Sequence, residues 1–287
     1  MIAMRLQGHT KDIGGFQVRR LLPDLRCRSL GPFVFIDEMG PAELPPGQGI
    51  DVRPHPHINL ATLTFLFDGA IAHRDSVGSV QDIEPGDVNW MVAGSGIAHS
   101  ERTPAQQRGQ GHRLHGLQTW LALPREQEEV APSFSHHPAS TLPRVCGEGL
   151  ELTVLAGEAF GERSPVQVYS PTLYVAGRLR AGARLPLPDG HAERGLYLLS
   201  GRAELGGEAI GANELLLIEP DAVGELHAST DCELAWMGGA PLDGPRKLWW
   251  NFVSSRPERI EQAKADWREG RFATVPGENE FIPLPEQ

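Results

Sequence analysis

An all-β fold with a duplicated domain is what this sequence predicts, on three observations. Short runs of β-branched and aromatic residues recur between turns, and the 33 glycines and 24 prolines spread over 287 residues follow no period, the pattern of many short strands rather than of a fibre or a disordered tail. Three segments of the first half recur in order in the second. Two ligand-type pairs, His55-Pro56-His57 and His99-Ser100-Glu101, flank an alternating apolar segment. Residues i and i+2 of a strand share a face, so each pair can aim two donor atoms at one point if a barrel brings the pairs together.

Taken in order, residues 33–36 are an apolar run between Pro/Gly breakers and read as a buried strand. Asp37 and Glu38 follow and read as its polar end at a turn rather than as ligands. Residues 60–67 alternate in size and stop at Asp68-Gly69, a strand ending in turn chemistry. Ile83-Glu84-Pro85-Gly86-Asp87 is a tight turn into a strand over 88–92, and Gly94-Ser95-Gly96 is a flexible turn that delivers His99 and Glu101. A further strand is expected from His115 to the proline at 124. Residues 125–148 are polar, contain proline and show no periodicity, which reads as a linker. A second strand-rich region runs from Glu151 to Trp236.

The repeat pairs Phe65-Leu66-Phe67-Asp68-Gly69 with Tyr197-Leu198-Leu199-Ser200-Gly201, Ile83 through Asp87 with Ile210 through Glu214, and Ala98-His99-Ser100 with Leu226-His227-Ala228. Its length exceeds a solenoid unit, so a whole β-domain is duplicated. The expected organisation is a first β-domain over 1–125 carrying the metal site, a linker over 126–150, and a second β-domain over 151–287 that includes a C-terminal helix. That helix is read from Ser255 to Gly270, with a Ser/Glu capping pair, an early proline, a terminal glycine, and Ile260, Ala263 and Trp267 on one face against the outside of a barrel.

The formal charge of −11 argues against a nucleic-acid groove or an anionic membrane surface, both held largely by Lys and Arg. No window approaches the ~20 apolar residues of a membrane span, and the first residues lack a signal-peptide core, so a cytoplasmic protein is expected. Cys27, Cys146 and Cys232 are widely separated and odd in number, which fits reduced thiols.

Two i,i+2 pairs with glycines that allow close approach read better as a metal site than as a solvated strand face. His73 reads as a turn residue bonded to Asp75, and His112, His115, His136 and His137 as structural or solvated. Trp90, Met91, Trp249 and Trp250 read as walls of a core or pocket.

Gly49 separated by five residues from His55-x-His57, then an alternating strand to Gly69, then Gly94-x-Gly96-x-x-His99, resemble the two motifs of the cupin superfamily. The closer resemblance is to the pirin family, carried by PHPH at 54–57, HRDS at 73–76, PGDV at 85–88, the run from Trp90 through Glu101, and Gly244-Pro245-Arg246-Lys247-Leu248-Trp249-Trp250-Asn251-Phe252. It implies a bicupin, two antiparallel β-barrels facing each other, with His55, His57, His99 and Glu101 as ligands of one divalent metal. The family's metal is typically Fe(II); three imidazoles and a carboxylate also suit Mn, Ni, Cu or Zn. The sequence departs from the pattern at Ala61, where cupins carry a Glu, and at Ile58, where many pirins carry an Arg, so Glu101 supplies the one carboxylate. In the second copy His191, Glu193 and His227 hold roughly corresponding places, short of a full ligand set.

Pirin-like proteins include quercetin 2,3-dioxygenases, so the resemblance implies a metal-dependent dioxygenase taking a flavonol-like aromatic substrate and O2, with Glu101 as ligand and, when detached, general base. The alternative is a redox-responsive metal protein that modulates a protein partner such as a transcription factor or metabolic enzyme, without direct contact to nucleic acid or membrane. A cupin of another chemistry, such as an isomerase, would use the same ligands, since fold and ligands do not fix reaction class.

Overall fold

The computed structural model describes residues 1–13 and 15–286. Strands dominate, paired antiparallel, and the described α-helices are Ala105–Gln110 and Pro257–Arg268. None is long and apolar enough to cross a membrane. The chain divides into two compact units: Thr10–Arg20, Ile36–Ala139 and Asp243–Gln287 form one, and Met1–His9, Leu21–Phe35 and Ser140–Leu242 the other.

This division differs from the contiguous domains expected at 1–125 and 151–287. The N-terminal strand Ile2–Gln7 pairs with Glu214–Ile218, and the C-terminal helix lies in the same unit as His55, His57 and His99. Edge pairing is the physical reason: backbone hydrogen bonds accept a strand from any distance along the chain and leave no composition signal. The expected linker is largely ordered for the same reason. Ser133–His137 pairs with Val88–Val92 in one unit, and Arg144–Gly147 pairs with Leu150–Ala159 in the other.

In the unit that carries the histidine pairs, one sheet runs Ser133–His137, Val88–Val92, Leu60–Asp68, His112–Ala122, Phe33–Leu44, Gln17–Leu22, His9–Asp12. A smaller sheet runs Asp51–His57, Ile97–Arg102, Ile71–Asp75, Val80–Ile83. Val18, Met39, Leu66 and Leu114 from the first meet Ile71 and Ile83 from the second in a buried cluster. The other unit repeats this plan, with Ile2–Gln7, Glu214–Ile218, Glu193–Ser200, Cys232–Gly239, Thr172–Leu179, Leu150–Ala159 and Arg144–Gly147 in its large sheet and Arg184–Pro186, Glu225–Ala228, Arg202–Leu205 and Glu208–Gly211 in its small one. Each sequence repeat falls on equivalent strands, so the duplication is topological as well.

Asp37 and Glu38 lie within the Phe33–Leu44 strand rather than at its end. Arg20 grips Asp37 through two bonds at 2.8 and 2.7 Å, Arg19 Nη1 donates to Glu38 at 2.7 Å, and His115 Nε2 faces the other Glu38 oxygen at 3.0 Å. Charge pairing is what allows both carboxylates to be buried mid-strand. The helix runs Pro257–Arg268 with Ile260 and Ala263 buried against Ile58 and Phe252. Its first residue follows Arg256, not the expected Ser255 cap; Ser255 donates from its backbone N–H and its hydroxyl to Glu128 at 2.7 and 3.0 Å.

Candidate metal centre

His55 and His57 alternate with Pro54 and Pro56 on the Asp51–His57 strand, and His99 lies on the neighbouring Ile97–Arg102 strand in direct register with His55. The register slips between His99 and Glu101, where Val52 rather than Arg53 opposes Glu101, a bulge that re-aims the side chains beyond it. Gly94, at φ +49°, makes the preceding turn; a Cβ there would collide with the Val130 carbonyl. Strand register thus brings His99 beside His55.

The three rings are buried, with ligand nitrogens within 4.8 Å of one another. Their outer nitrogens are engaged. His55 Nδ1 lies 2.9 Å from the Arg53 carbonyl and His57 Nδ1 lies 3.1 Å from the Asn251 carbonyl. A carbonyl only accepts, so both rings carry their proton on Nδ1 and turn a bare Nε2 inward. His57 Nε2 and His99 Nε2 stand 3.1 Å apart. Two nitrogens bound about 2.1 Å from one ion at right angles would be about 3.0 Å apart. That spacing, with the bare His55 and His57 nitrogens turned inward, fits a divalent cation, and the donor set suits the metal that the sequence spacing predicts.

Burial also keeps the rings neutral. Loss of hydration lowers the His55 pKa to about 4, and pushes His57 and His99 well below the usual imidazole value, with neighbouring rings adding repulsion. Neutral imidazole is the ligating form.

Glu101, expected as the fourth ligand, is not among the three clustered residues. Its Oε1 accepts from Gln118 Nε2 at 3.2 Å, and Thr64 Oγ1 donates to Gln118 Oε1 at 2.6 Å. The Thr64 bond fixes which end of the amide faces Glu101. Burial raises the carboxyl pKa of Glu101, offset in part by His73 and by the Gln118 bond.

His73 does bond Asp75, at 2.9 Å between Nε2 and Oδ2, yet it lies on the Ile71–Asp75 strand rather than in a turn, and its Nδ1 is 3.4 Å from His99 Nδ1. Sequence reasoning missed this role because strand pairing, not spacing, sets His99 opposite Asp75 and Glu101 opposite His73. Gln118 and the Asn251 carbonyl were equally silent, one being a neutral amide and the other backbone. Trp120 packs edge-on against His57, ring centroids 4.9 Å apart. Ile58, in the place of the Arg of many pirins, is fully buried against Phe252, Ile260 and Ala263, an apolar setting that would desolvate a guanidinium.

The other unit assembles no such cluster among the described residues. His191 Nε2 bonds the Glu158 carbonyl, Glu193 accepts the Gly31 N–H at 2.5 Å, and His227 lies opposite Arg184 on a different sheet. That unit's core is instead filled by Leu, Val and Trp236 side chains.

A family model described as Pirin matches residues 15–121, and one described as the Pirin C-terminal cupin domain matches 174–273. The chain is 48% identical over its whole length to a pirin-like protein of Caulobacter vibrioides, covering all of that protein. It is 32% identical to mouse pirin over 90% of this chain and 88% of that one. Among solved structures, a quercetin 2,3-dioxygenase from Acinetobacter baumannii superposes with a TM-score of 0.91 at 33% identity, across 99% of this chain and 95% of that one. Two cupin units, a His cluster in one of them, and these matches along nearly the full length place the chain in the pirin family of bicupins.

Proposed function

We propose that the protein is a metal-dependent dioxygenase that opens the heterocycle of a flavonol such as quercetin, using Fe(II) held by His55, His57, His99 and Glu101. The observation that carries this reading is the convergence of bare imidazole nitrogens in a buried site of a chain similar to a quercetin 2,3-dioxygenase along nearly its whole length. Ferrous iron there supplies a Lewis acid with open positions for oxygen donors.

The protein's own residues do the rest. Glu101, with its pKa raised by burial, would accept the proton of the flavonol hydroxyl when detached from its role as ligand. Gln118, held by Thr64, orients the carboxylate for that transfer. Trp120 and the buried strand faces keep bulk water from the donor set.

The test is iron analysis of protein purified without chelator, together with oxygen uptake in the presence of quercetin. Uptake matched one to one by flavonol loss, and abolished in His57→Ala, is expected. A stoichiometrically iron-loaded protein that leaves a panel of flavonols intact would overturn the reading.

A further inference from the structure

The buried pair Asp75 and His73 faces the donor set without belonging to it. His55 and His57 each donate their outer proton to a backbone carbonyl, an acceptor that cannot change roles. His99 has no such partner: its Nδ1 meets Nδ1 of another imidazole, His73, at 3.4 Å, a long hydrogen bond in a buried setting. An imidazole nitrogen donates or accepts according to where its ring carries the proton. Something else must set the direction of that contact.

Asp75 is placed to do so. It is wholly buried, and Oδ1 is pinned by the Val77 and Ser79 N–H groups at 3.0 and 2.9 Å, leaving Oδ2 against His73 Nε2 at 2.9 Å. A carboxylate only accepts, so the His73 proton sits on Nε2. In the neutral ring Nδ1 is then an acceptor, and His99 donates Nδ1–H to it. His99 Nε2 is left bare toward the other two ligands. Stacking on Phe134, centroids 4.4 Å apart and planes 17° off parallel, holds the His73 ring in place.

We infer that Asp75, acting through His73, is the positioning residue that fixes the His99 tautomer so that its inner nitrogen is free to bind metal; this rests on the metal-centre reading above. A specific asymmetry follows. In Asp75→Asn the Val77 and Ser79 N–H groups hold the amide oxygen, so the amide NH2 faces His73. The His73 proton must then move to Nδ1, His99 becomes the acceptor, and its own proton turns inward onto Nε2. His73→Leu merely deletes the contact.

The experiment uses the full chain, stripped of metal, with Co(II) as the probe, and 15N NMR of the histidine rings. In the wild type, His99 protonated at Nδ1 and His73 at Nε2 are expected. Asp75→Asn should show His99 protonated at Nε2 and bind Co(II) about 10–100-fold more weakly, with a smaller loss in His73→Leu. A wild-type His99 carrying its proton on Nε2, or an Asp75→Asn protein whose tautomer and Co(II) affinity match the wild type, would overturn the inference while leaving the metal centre standing. If the wild type itself binds no Co(II), both fall together. Should Asp75→Asn not fold, the wild-type tautomers decide the matter alone.

Discussion

His57 Nε2 and His99 Nε2 face each other at 3.1 Å, and the hydrogen bonds on the far side of each ring leave neither a proton to share. Two lone pairs at this distance repel unless a cation sits between them. Divalent metal should therefore stabilise the folded protein: at a free concentration 100 times Kd, binding adds about 2.7 kcal/mol. Melting curves with Fe(II) under anaerobic conditions, reversed by chelator, check this. His99→Ala should melt at the same temperature with and without the metal, and a metal-induced rise in that variant equal to the wild type would refute the assignment.

Glu101 and Gln118 should separate in kinetics. Removing a general base costs about 10²–10⁴ in kcat, so Glu101→Gln is expected to fall in that range. Gln118→Leu, which keeps the carboxylate but removes the amide that orients it, should lose about tenfold, the order of one hydrogen bond to a charged group. Thr64→Val should lower kcat less than Gln118→Leu, because the amide remains and only its orientation is freed. Steady-state rates with quercetin across the three variants decide the order; Thr64→Val falling below Glu101→Gln would break it.

The metal-free protein should lose stability on mild acidification. As the pH falls below 6.5, the unfolded chain protonates its histidines, while folded His55 holds off until about pH 4 because burial opposes its charge. Over that window the unfolded state binds more protons, so stability declines with falling pH, and the His55 share of the decline is complete by about pH 4. His55 alone accounts for about 3 kcal/mol of the decline. Urea unfolding of the chelated protein at pH 7 and pH 4 measures it. His55→Gln should reduce the difference between the two pH values by about that amount, and an unchanged difference would exclude His55 as its source.

Side-chain chemistry at short spacing was legible from the sequence; pairing across distance was not. His55, His57 and His99 announced themselves because strand geometry converts an i,i+2 spacing into convergence, and the duplicated β-domain because turn residues repeat with the strands they end. The N-terminal strand Ile2–Gln7 did not announce its partner Glu214–Ile218, since backbone pairing is blind to sequence separation. Asp37 and Glu38 looked like a strand end because carboxylates are costly mid-strand, and only the structure shows Arg19 and Arg20 beside them. Glu101 shares strand and spacing with His99, yet the slip in register between them and the bond to Gln118 set it apart from the three rings.

Glu128 ties the metal centre to the C-terminal segment. Its carboxylate, 1% exposed, meets Arg246, 2% exposed, at 3.1 Å and accepts from Ser254, Ser255 and the Ser255 N–H. The segment so anchored carries Asn251, whose carbonyl receives the His57 proton, and Phe252, which packs on Ile58 beside His57. Glu128→Ala takes the buried partner from the Arg246 guanidinium and leaves it the half-exposed Asp243 carboxylate and the Gly244 and Leu123 carbonyls, so the loss should fall below the roughly 3–5 kcal/mol of a fully unpaired buried charge. Unfolding in urea should register that loss, and Co(II) affinity should weaken as the Asn251 carbonyl loosens from His57. Pairing Glu128→Gln with Arg246→Met removes both charges at once and should recover most of the stability, because replacing a buried ion pair by neutral groups is often close to neutral while breaking it is not. A double variant as unstable as Glu128→Ala would show that cancelling the charges does not restore the segment, and would refute the buried pair as what holds it in place.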